Sequence, residues 1–150
     1  MKLILLTLAA ASLLLLLLAA PPASADINQF AGRWKNVDPD TGGLTTLRIA
    51  VRGRRLRVEA WGRCHPSDCA WGYAEATVYA PGVTADPAEA AQVATTLYVT
   101  SFSQTILVIR PMEGGRLRVE TFTKFTDESA RADYTTVQTF SRAVGEGAGE

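Results

Sequence analysis

The chain has 150 residues, and 15 basic and 15 acidic side chains give it a formal net charge of zero. This length suffices for one domain with a hydrophobic core and is too short for two ordinary domains. The balanced charge gives no overall attraction to nucleic acid, and a hydrophobic content of 47% excludes a disordered chain.

The first 25 residues have the pattern of a secretory signal peptide. Lys2 gives the N-terminal region a positive charge, residues 3–20 are almost entirely apolar, and the small residues 23–25 precede Asp26. The alternative is an uncleaved membrane anchor, because a run of about 18 apolar residues nearly spans a bilayer. The two prolines at 21–22 argue against an anchor. We therefore expect a secreted or periplasmic/extracellular protein with no stable membrane insertion after cleavage of residues 1–25.

From Asp26 onwards, apolar and polar residues mostly alternate, which is typical of half-buried strands. Gly, Pro, Asp and Ser separate the alternating runs. A single helical turn is expected at 26–30, and a short helical segment near 86–94, because Asp86 can cap a helix that begins with Pro87. The Gly-rich tail at 145–150 is expected to be disordered. The predicted strands are 33–37, 47–52, 55–61, 71–80, 95–102, 104–110, 116–125 and 134–142.

Eight short strands with mostly tight connections predict an all-β domain at 26–144, an eight-stranded antiparallel up-and-down barrel. Closing the sheet removes exposed strand edges, and a barrel of this size can hold one small ligand. A two-sheet sandwich is the alternative, but it needs longer crossovers than the chain has outside 81–94. The sequence of 55–59 recurs unchanged at 116–120, which indicates that two of the hairpins are alike.

The two cysteines, Cys64 and Cys69, are expected to form a disulfide across a tight turn that contains Pro66. Two thiols this close oxidise readily outside the cytosol. A metal site that adds His65 and Asp68 is the alternative. Zinc sites normally recruit a second pair of ligands, and the chain has no other Cys or His. The sequence therefore predicts a structural disulfide, no metal and no cofactor.

The segment from Phe30 to Trp34 resembles the F-x-G-x-W opening motif of lipocalin and wider calycin barrels, with Gly32 at its centre. In that family the Trp plugs the closed end of the barrel, and an Arg from the last strand packs over it. Arg142 is similarly placed at the end of the last predicted strand. The resemblance implies that Gly32, Trp34 and Arg142 form the barrel base. The first strand has a weaker similarity to avidin-like barrels. The short chain, the lack of a C-terminal helix and the absence of a T-D-Y motif depart from the lipocalin pattern.

A register hypothesis predicts which residues line the barrel. If Cys64 lies directly opposite Cys69, then Ala60 is opposite Tyr73, and residues on that face point inward. Trp71, Tyr73, Glu75 and Tyr79 would then line an interior suited to a ligand. The alternative is a β-bulge beside the disulfide, which would shift the register by one residue and turn this set outward. Ala74, Ala76 and Val78 would then face inward.

Candidate catalytic residues are scarce. His65 is the only histidine, and both cysteines are expected to be bonded, so no nucleophile and base pair emerges and we expect no enzyme. Between residues 48 and 63, six arginines accompany a single acid, Glu59. They are interpreted as solvated charge on the outer face, with a basic patch for an anionic surface as the alternative. No aromatics interleave them as single-stranded nucleic acid binding requires, so no nucleic-acid partner is expected.

The sequence thus predicts a secreted, non-enzymatic barrel that binds a small apolar or amphipathic ligand in its interior. The predicted lining residues are Trp71, Tyr73, Glu75, Tyr79 and Tyr98. The alternative is a barrel that acts from its outer surface, as a protein-interaction module or an inhibitor of a secreted enzyme. In that case, the disulfide loop at 61–71 would contact the protein partner.

Overall fold

The computed structural model describes residues 26–144. The predicted signal peptide at 1–25 and the predicted disordered tail at 145–150 lie outside these residues. Within them, eight antiparallel strands form a closed barrel, in which β8 pairs with β1 and every other pair is consecutive in sequence. The predicted barrel is confirmed. The strands are β1 Gly32–Asn36, β2 Leu44–Arg52, β3 Arg55–Gly62, β4 Cys69–Tyr79, β5 Val93–Val99, β6 Ser103–Met112, β7 Arg116–Phe125 and β8 Tyr134–Arg142.

The helical prediction is confirmed at one place and wrong at the other. A 3-10 turn spans Ile27–Phe30, capped by the Asp26 carboxylate, which accepts a hydrogen bond of 2.7 Å from the Asn28 amide. Near 86–94 the chain forms only a hydrogen-bonded turn. Asp86 does accept from the Ala88 amide at 2.8 Å, as a cap should. The segment stops after one turn because β5 already begins at Val93, which leaves no room for a second turn.

One end of the barrel is closed by apolar side chains. The inward positions there are occupied by large aliphatic and aromatic residues that are fully or almost fully buried. The 3-10 turn covers this end and is tied to the β4–β5 connection, because the Ile27 amide donates to the Ala88 carbonyl at 2.9 Å. The core members at this end include Phe30, Trp34, Leu47, Ile49, Leu56, Ala76, Ala94, Ile109, Leu117 and Phe140.

Gly32, Trp34 and Arg142 make direct contact at this closed end. The Arg142 guanidinium lies 4.4 Å above the Trp34 ring, and it also donates to the carbonyls of Ala31 and Gln29. The Trp34 indole N–H donates to the Phe30 carbonyl at 2.8 Å. Gly32 has a φ of 134°, and a Cβ there would lie 2.6 Å from Arg142 Nη1. The backbone conformation therefore favours glycine, and any larger residue there would displace the Arg142 guanidinium.

Candidate functional site: a polar cup at the open end of the barrel

The inward face of the barrel changes from aliphatic to polar towards the end opposite Trp34. Along β7, the inward residues are Leu117 and Val119, followed by Thr121 and Thr123, and all four are buried. Strand β6, which runs in the opposite direction, has Thr105 before its aliphatic inward residues. The hydroxyl-bearing inward residues thus gather at one end, where they form what we call the cup.

Neighbouring strands link the hydroxyls of the cup in pairs. The Thr105 and Thr123 hydroxyls are directly paired across β6 and β7 and lie 3.0 Å apart. The hydroxyls of Thr121 and Thr136 are 2.6 Å apart across β7 and β8. Since each hydroxyl can both donate and accept, each pair keeps hydrogen-bonding capacity that a ligand or water can use.

The Gln138 side chain forms the wall of the cup beside β1 and β2. Its amide nitrogen donates to the Thr41 hydroxyl at 2.7 Å, and its amide oxygen accepts from the Leu44 amide at 3.3 Å. These bonds fix the orientation of the amide and tie β8 to the β1–β2 loop. The wall is therefore polar and held in place from both ends.

Trp71 enters the cup through a β-bulge. In β3 and β4, Ala60 pairs with Gly72 while Trp61 pairs with Ala70, so the register shifts by one and Trp71 is the extra residue. Gly72 permits the bulge because its φ is 80°. The Trp71 ring packs edge to face with Tyr98, at 5.6 Å between ring centroids. Within residues 26–144, its indole N–H has no hydrogen-bond partner, and the side chain is 38% exposed.

The predicted register of this hairpin is wrong, and the bulge is the reason. The structure pairs Glu59, not Ala60, with Tyr73, so Tyr73, Glu75 and Tyr79 point to solvent and do not line the interior. The exposed Tyr73 ring stacks on the Arg57 guanidinium at 3.6 Å from the ring centroid.

The other two side chains on the outer face of β4 also have outer-face partners. Glu75 is 3.6 Å from Arg55, and the Tyr79 hydroxyl is 3.4 Å from the Thr95 hydroxyl. The inward residues of β4 are those of the bulged alternative, Ala74, Ala76 and Val78.

Tyr98 packs against Trp71 and is almost fully buried. It is 6% exposed, and its hydroxyl donates to the Val58 carbonyl at 2.7 Å. Burial raises the pKa of the Tyr98 phenol far above its ordinary value, with a smaller contribution from the negative charge of Glu59. The phenol is therefore neutral and engaged in the fold. Of the five predicted lining residues, only Trp71 lines the cavity, and Tyr98 supports it from behind.

The cup opens into a cavity of about 560 Å³ at the rim of the barrel. A cavity of this size is in the range that small molecules occupy. Its polar lining includes Thr121, Thr123 and Thr136, and Trp71 and Tyr134 supply aromatic surface. The cup can therefore donate and accept hydrogen bonds around a ligand that also contacts an aromatic ring.

The disulfide loop rises from the same end of the barrel, and the predicted bond between Cys64 and Cys69 is confirmed. Asp68 braces the loop, because its carboxylate accepts from the Thr45 hydroxyl at 2.6 Å and lies 3.6 Å from the Arg63 guanidinium. The bonded cysteines have no thiolate to offer a metal. Among residues 26–144, no group of three or more His, Cys, Asp or Glu side chains could hold a metal ion.

Sequence reasoning missed the threonines and Gln138. A signal for them does exist, because the inward positions of β7 read Leu, Val, Thr, Thr, while those of β6 read Ser, Thr, Leu, Ile in the opposite direction. Two antiparallel strands whose polar inward residues fall at the same end of a barrel indicate a polar cavity there. The predicted lining residues all lie on β4 and β5, so the prediction did not include this gradient.

The fold places the chain in the class of closed, eight-stranded antiparallel barrels with one sealed end and one polar end. No protein-family model matches this sequence, and no curated protein matches it either. Within residues 26–144, no helix is long and apolar enough to span a membrane.

Proposed function

We propose that the protein is a secreted, non-enzymatic barrel that binds one small amphipathic molecule in the cup. The observation that supports this most directly is the gradient of the inward face, from a packed apolar base to hydroxyl-bearing side chains that line a cavity. A barrel that served only as a scaffold would bury apolar residues along its full length. Buried polar groups cost stability unless they are bonded, so a concentration of them around a cavity is characteristic of a binding site.

The lining favours a ligand with several hydrogen-bonding groups and one flat or apolar face. Trp71 offers an aromatic surface together with a free indole N–H, and the Thr121 and Thr136 hydroxyls can complete their hydrogen bonds with a ligand. A purely apolar ligand would leave the Trp71 indole N–H without a partner and the spare hydrogen-bonding capacity of the two hydroxyls unused. The polar part of an amphipathic molecule is therefore expected to enter the cup.

The lipocalin-like and calycin-like resemblance is part of this proposal. Its support is the base of the barrel, where Arg142 packs on Trp34 beside a glycine that cannot be replaced without displacing the arginine. A base closed in this way directs any interior ligand to the opposite end, where the cup lies.

The test is native mass spectrometry of the purified protein before and after mild organic extraction, followed by rebinding of the extracted molecule. Thr136→Phe places a ring in the cup and should abolish rebinding. Thr135→Phe is the matched control, since Thr135 is the exposed neighbour on the same strand. Equal rebinding by both variants, or a ligand retained by Thr136→Phe, would show that the cup is not the site.

The second candidate is an interaction module that acts through the disulfide loop. The contacts of Asp68 with Thr45 and Arg63 hold the loop in place and favour this second candidate. A rigid, exposed loop loses little conformational entropy when it binds a partner. His65 and Ser67 are exposed at its tip. A protein partner captured by the wild type, lost on His65→Ala and kept on Thr136→Phe would favour this candidate over the cup.

A further inference from the structure

A second concave surface lies on the outer face of β5, β6 and β7, beside the start of β8. This surface, which we call the outer groove, has a volume of about 520 Å³. Its apolar lining consists of Leu97, Ile106, Phe122 and Tyr134, which are 46–52% exposed. Single exposed apolar residues are ordinary, whereas a contiguous apolar surface indicates an interaction site.

Strand pairing makes the apolar surface of the outer groove contiguous. Leu97 on β5 lies directly opposite Ile106 on β6, and Ile106 lies directly opposite Phe122 on β7. Adjacent strands are about 4.8 Å apart, so these three side chains form an apolar row roughly 10 Å long. The outer face of β3, by comparison, carries Arg55 and Arg57. An apolar outer face is therefore a local feature of this side of the barrel.

The outer groove and the cup meet at the rim of the barrel. Thr123 and Tyr134 line both cavities, and they are the last residues that pair β7 with β8 at this end. Strand β7 continues to Phe125, beyond its pairing with β8. The Tyr134 ring packs against Phe125, with 6.0 Å between the ring centroids. A ligand that leaves the cup at Tyr134 thus reaches the outer groove directly.

The cup suits an uncharged polar group. Of the described residues that line it, only Asp38 and Arg63 carry charge. The Asp38 carboxylate accepts a hydrogen bond of 3.0 Å from the Asp40 amide. The Arg63 guanidinium donates to the Pro39 carbonyl and lies 3.6 Å from the Asp68 carboxylate. The two charges are opposite in sign and already have partners in the protein, so the cup offers no excess of either sign.

The barrel interior below the cup is filled by core side chains. Leu107, Leu117 and Val119 are fully buried there and belong to one packed cluster. An amphipathic ligand with its polar part in the cup cannot place a long apolar part beneath it without displacing this core. The apolar part must therefore leave the cup, and the outer groove is the apolar surface that adjoins it at the rim.

The size of the outer groove favours one alkyl chain over a second copy of the protein. Each of the four apolar side chains exposes about half of a surface of roughly 200 Å², so together they expose on the order of 400 Å². A stable protein–protein interface buries about 800 Å² on each partner. The groove lining alone is thus about half of what a dimer needs.

We propose that the ligand is a single-chain amphiphile, with an uncharged, hydroxyl-rich head in the cup and its alkyl chain in the outer groove. This inference rests on the proposed function and names the ligand class of the same site. The hydroxyls of the head form hydrogen bonds with the Trp71 indole N–H and the threonines of the cup. The chain crosses the rim at Tyr134 and covers the apolar row.

The probes are alkyl β-D-glucosides with chains of one to eight carbons, titrated by calorimetry at concentrations below micelle formation. Each buried methylene group strengthens binding by about fourfold, so octyl glucoside should bind about 15-fold more tightly than hexyl glucoside. Octanoylglycerol, which has the same chain length and a glycerol head, distinguishes the two sources of an uncharged head. Tighter binding of octyl glucoside would assign a glycoside, and tighter binding of octanoylglycerol would assign a glycerolipid.

The groove variant is Ile106→Thr with Phe122→Thr, since threonine is well tolerated in strands. Removing about half of the burial of each methylene should reduce the ratio of octyl to hexyl affinity to about fourfold and leave methyl glucoside binding unchanged. Tyr73→Thr is the matched control, because it removes a 61% exposed ring from the outer face of β4, and it should keep the wild-type ratio. Thr136→Phe should abolish binding of every glucoside.

No dependence on chain length in the wild type, or the same dependence in the groove variant, would overturn this inference. If Thr136→Phe still abolished binding, the cup would remain the site. Octyl glucoside binding that survived Thr136→Phe would overturn the proposed function as well. Tighter binding of octyl sulfate than of octyl glucoside would refute the uncharged head, and failure of the wild type to bind either uncharged amphiphile would refute the ligand class. A wild-type dimer that the groove variant dissociates in analytical ultracentrifugation, without chain-length dependence, would assign the outer groove to a second copy instead.

Discussion

Replacing Gly32 with alanine tests how the closed end of the barrel is held. The substitution places a Cβ on a backbone with a φ of 134° and only 2.6 Å from Arg142 Nη1. The backbone strain costs roughly 1–3 kcal/mol. The displaced guanidinium also loses its position over Trp34 and at least one hydrogen bond to a carbonyl, roughly 1–2 kcal/mol more.

The free energy of unfolding should therefore fall by about 3 kcal/mol, which corresponds to a decrease of roughly 10 °C in Tm for a domain of this size. Gly53→Ala is the matched control. Gly53 also has a positive φ, of 60°, but nothing lies within 4 Å of its Cβ position. The Gly53→Ala variant should lose only about 1 kcal/mol of unfolding free energy, the cost of the backbone strain.

Both variants are measured by urea unfolding, followed by circular dichroism. Arg142→Met removes the guanidinium without changing the backbone, and its effect should be less than additive with Gly32→Ala because the two share one contact. If Gly32→Ala proved no more destabilising than Gly53→Ala, the close approach of Arg142 would contribute nothing, and this reasoning about the base would be refuted.

Three other predictions follow from the described contacts. Replacing both Cys64 and Cys69 with serine should lower the free energy of unfolding by about 2 kcal/mol, because so short a loop restricts the unfolded chain only modestly. A much larger loss in urea unfolding would contradict the view that the disulfide acts only by restricting the unfolded chain. Since burial raises the pKa of Tyr98, stability linked to that phenol is complete below about pH 10 and falls by up to about 1.4 kcal/mol per pH unit above it. Tyr98→Phe should flatten this alkaline decline in unfolding curves, and an unchanged slope would contradict the assignment. Thr105→Val should cost about 1 kcal/mol because it leaves Thr123 without its partner, and Thr105→Val with Thr123→Val should cost less than the sum of the single changes in the same assay.

Much of the fold follows directly from the two-residue alternation of the sequence. The strands β7 and β8 begin and end where the alternation predicts. Strand β7 alternates between buried and more exposed residues, and in β8 the inward residues are less exposed than their neighbours along most of the strand. Strand β2 begins three residues earlier than predicted, at Leu44. Its first four residues are all buried and it contains an irregularity between Leu44 and Thr46, so no alternation could mark its start.

The candidate site was harder to predict because it depends on a single extra residue. A disulfide between Cys64 and Cys69 is compatible with more than one strand register, and the sequence does not say on which side of Trp71 the pairing shifts. In the structure Gly62, not Cys64, is the partner of Cys69, and the bulge at Trp71 then reverses every side chain on the rest of β4. Gly72 is the residue that permits this, but a glycine in a strand indicates a bulge without fixing the new register.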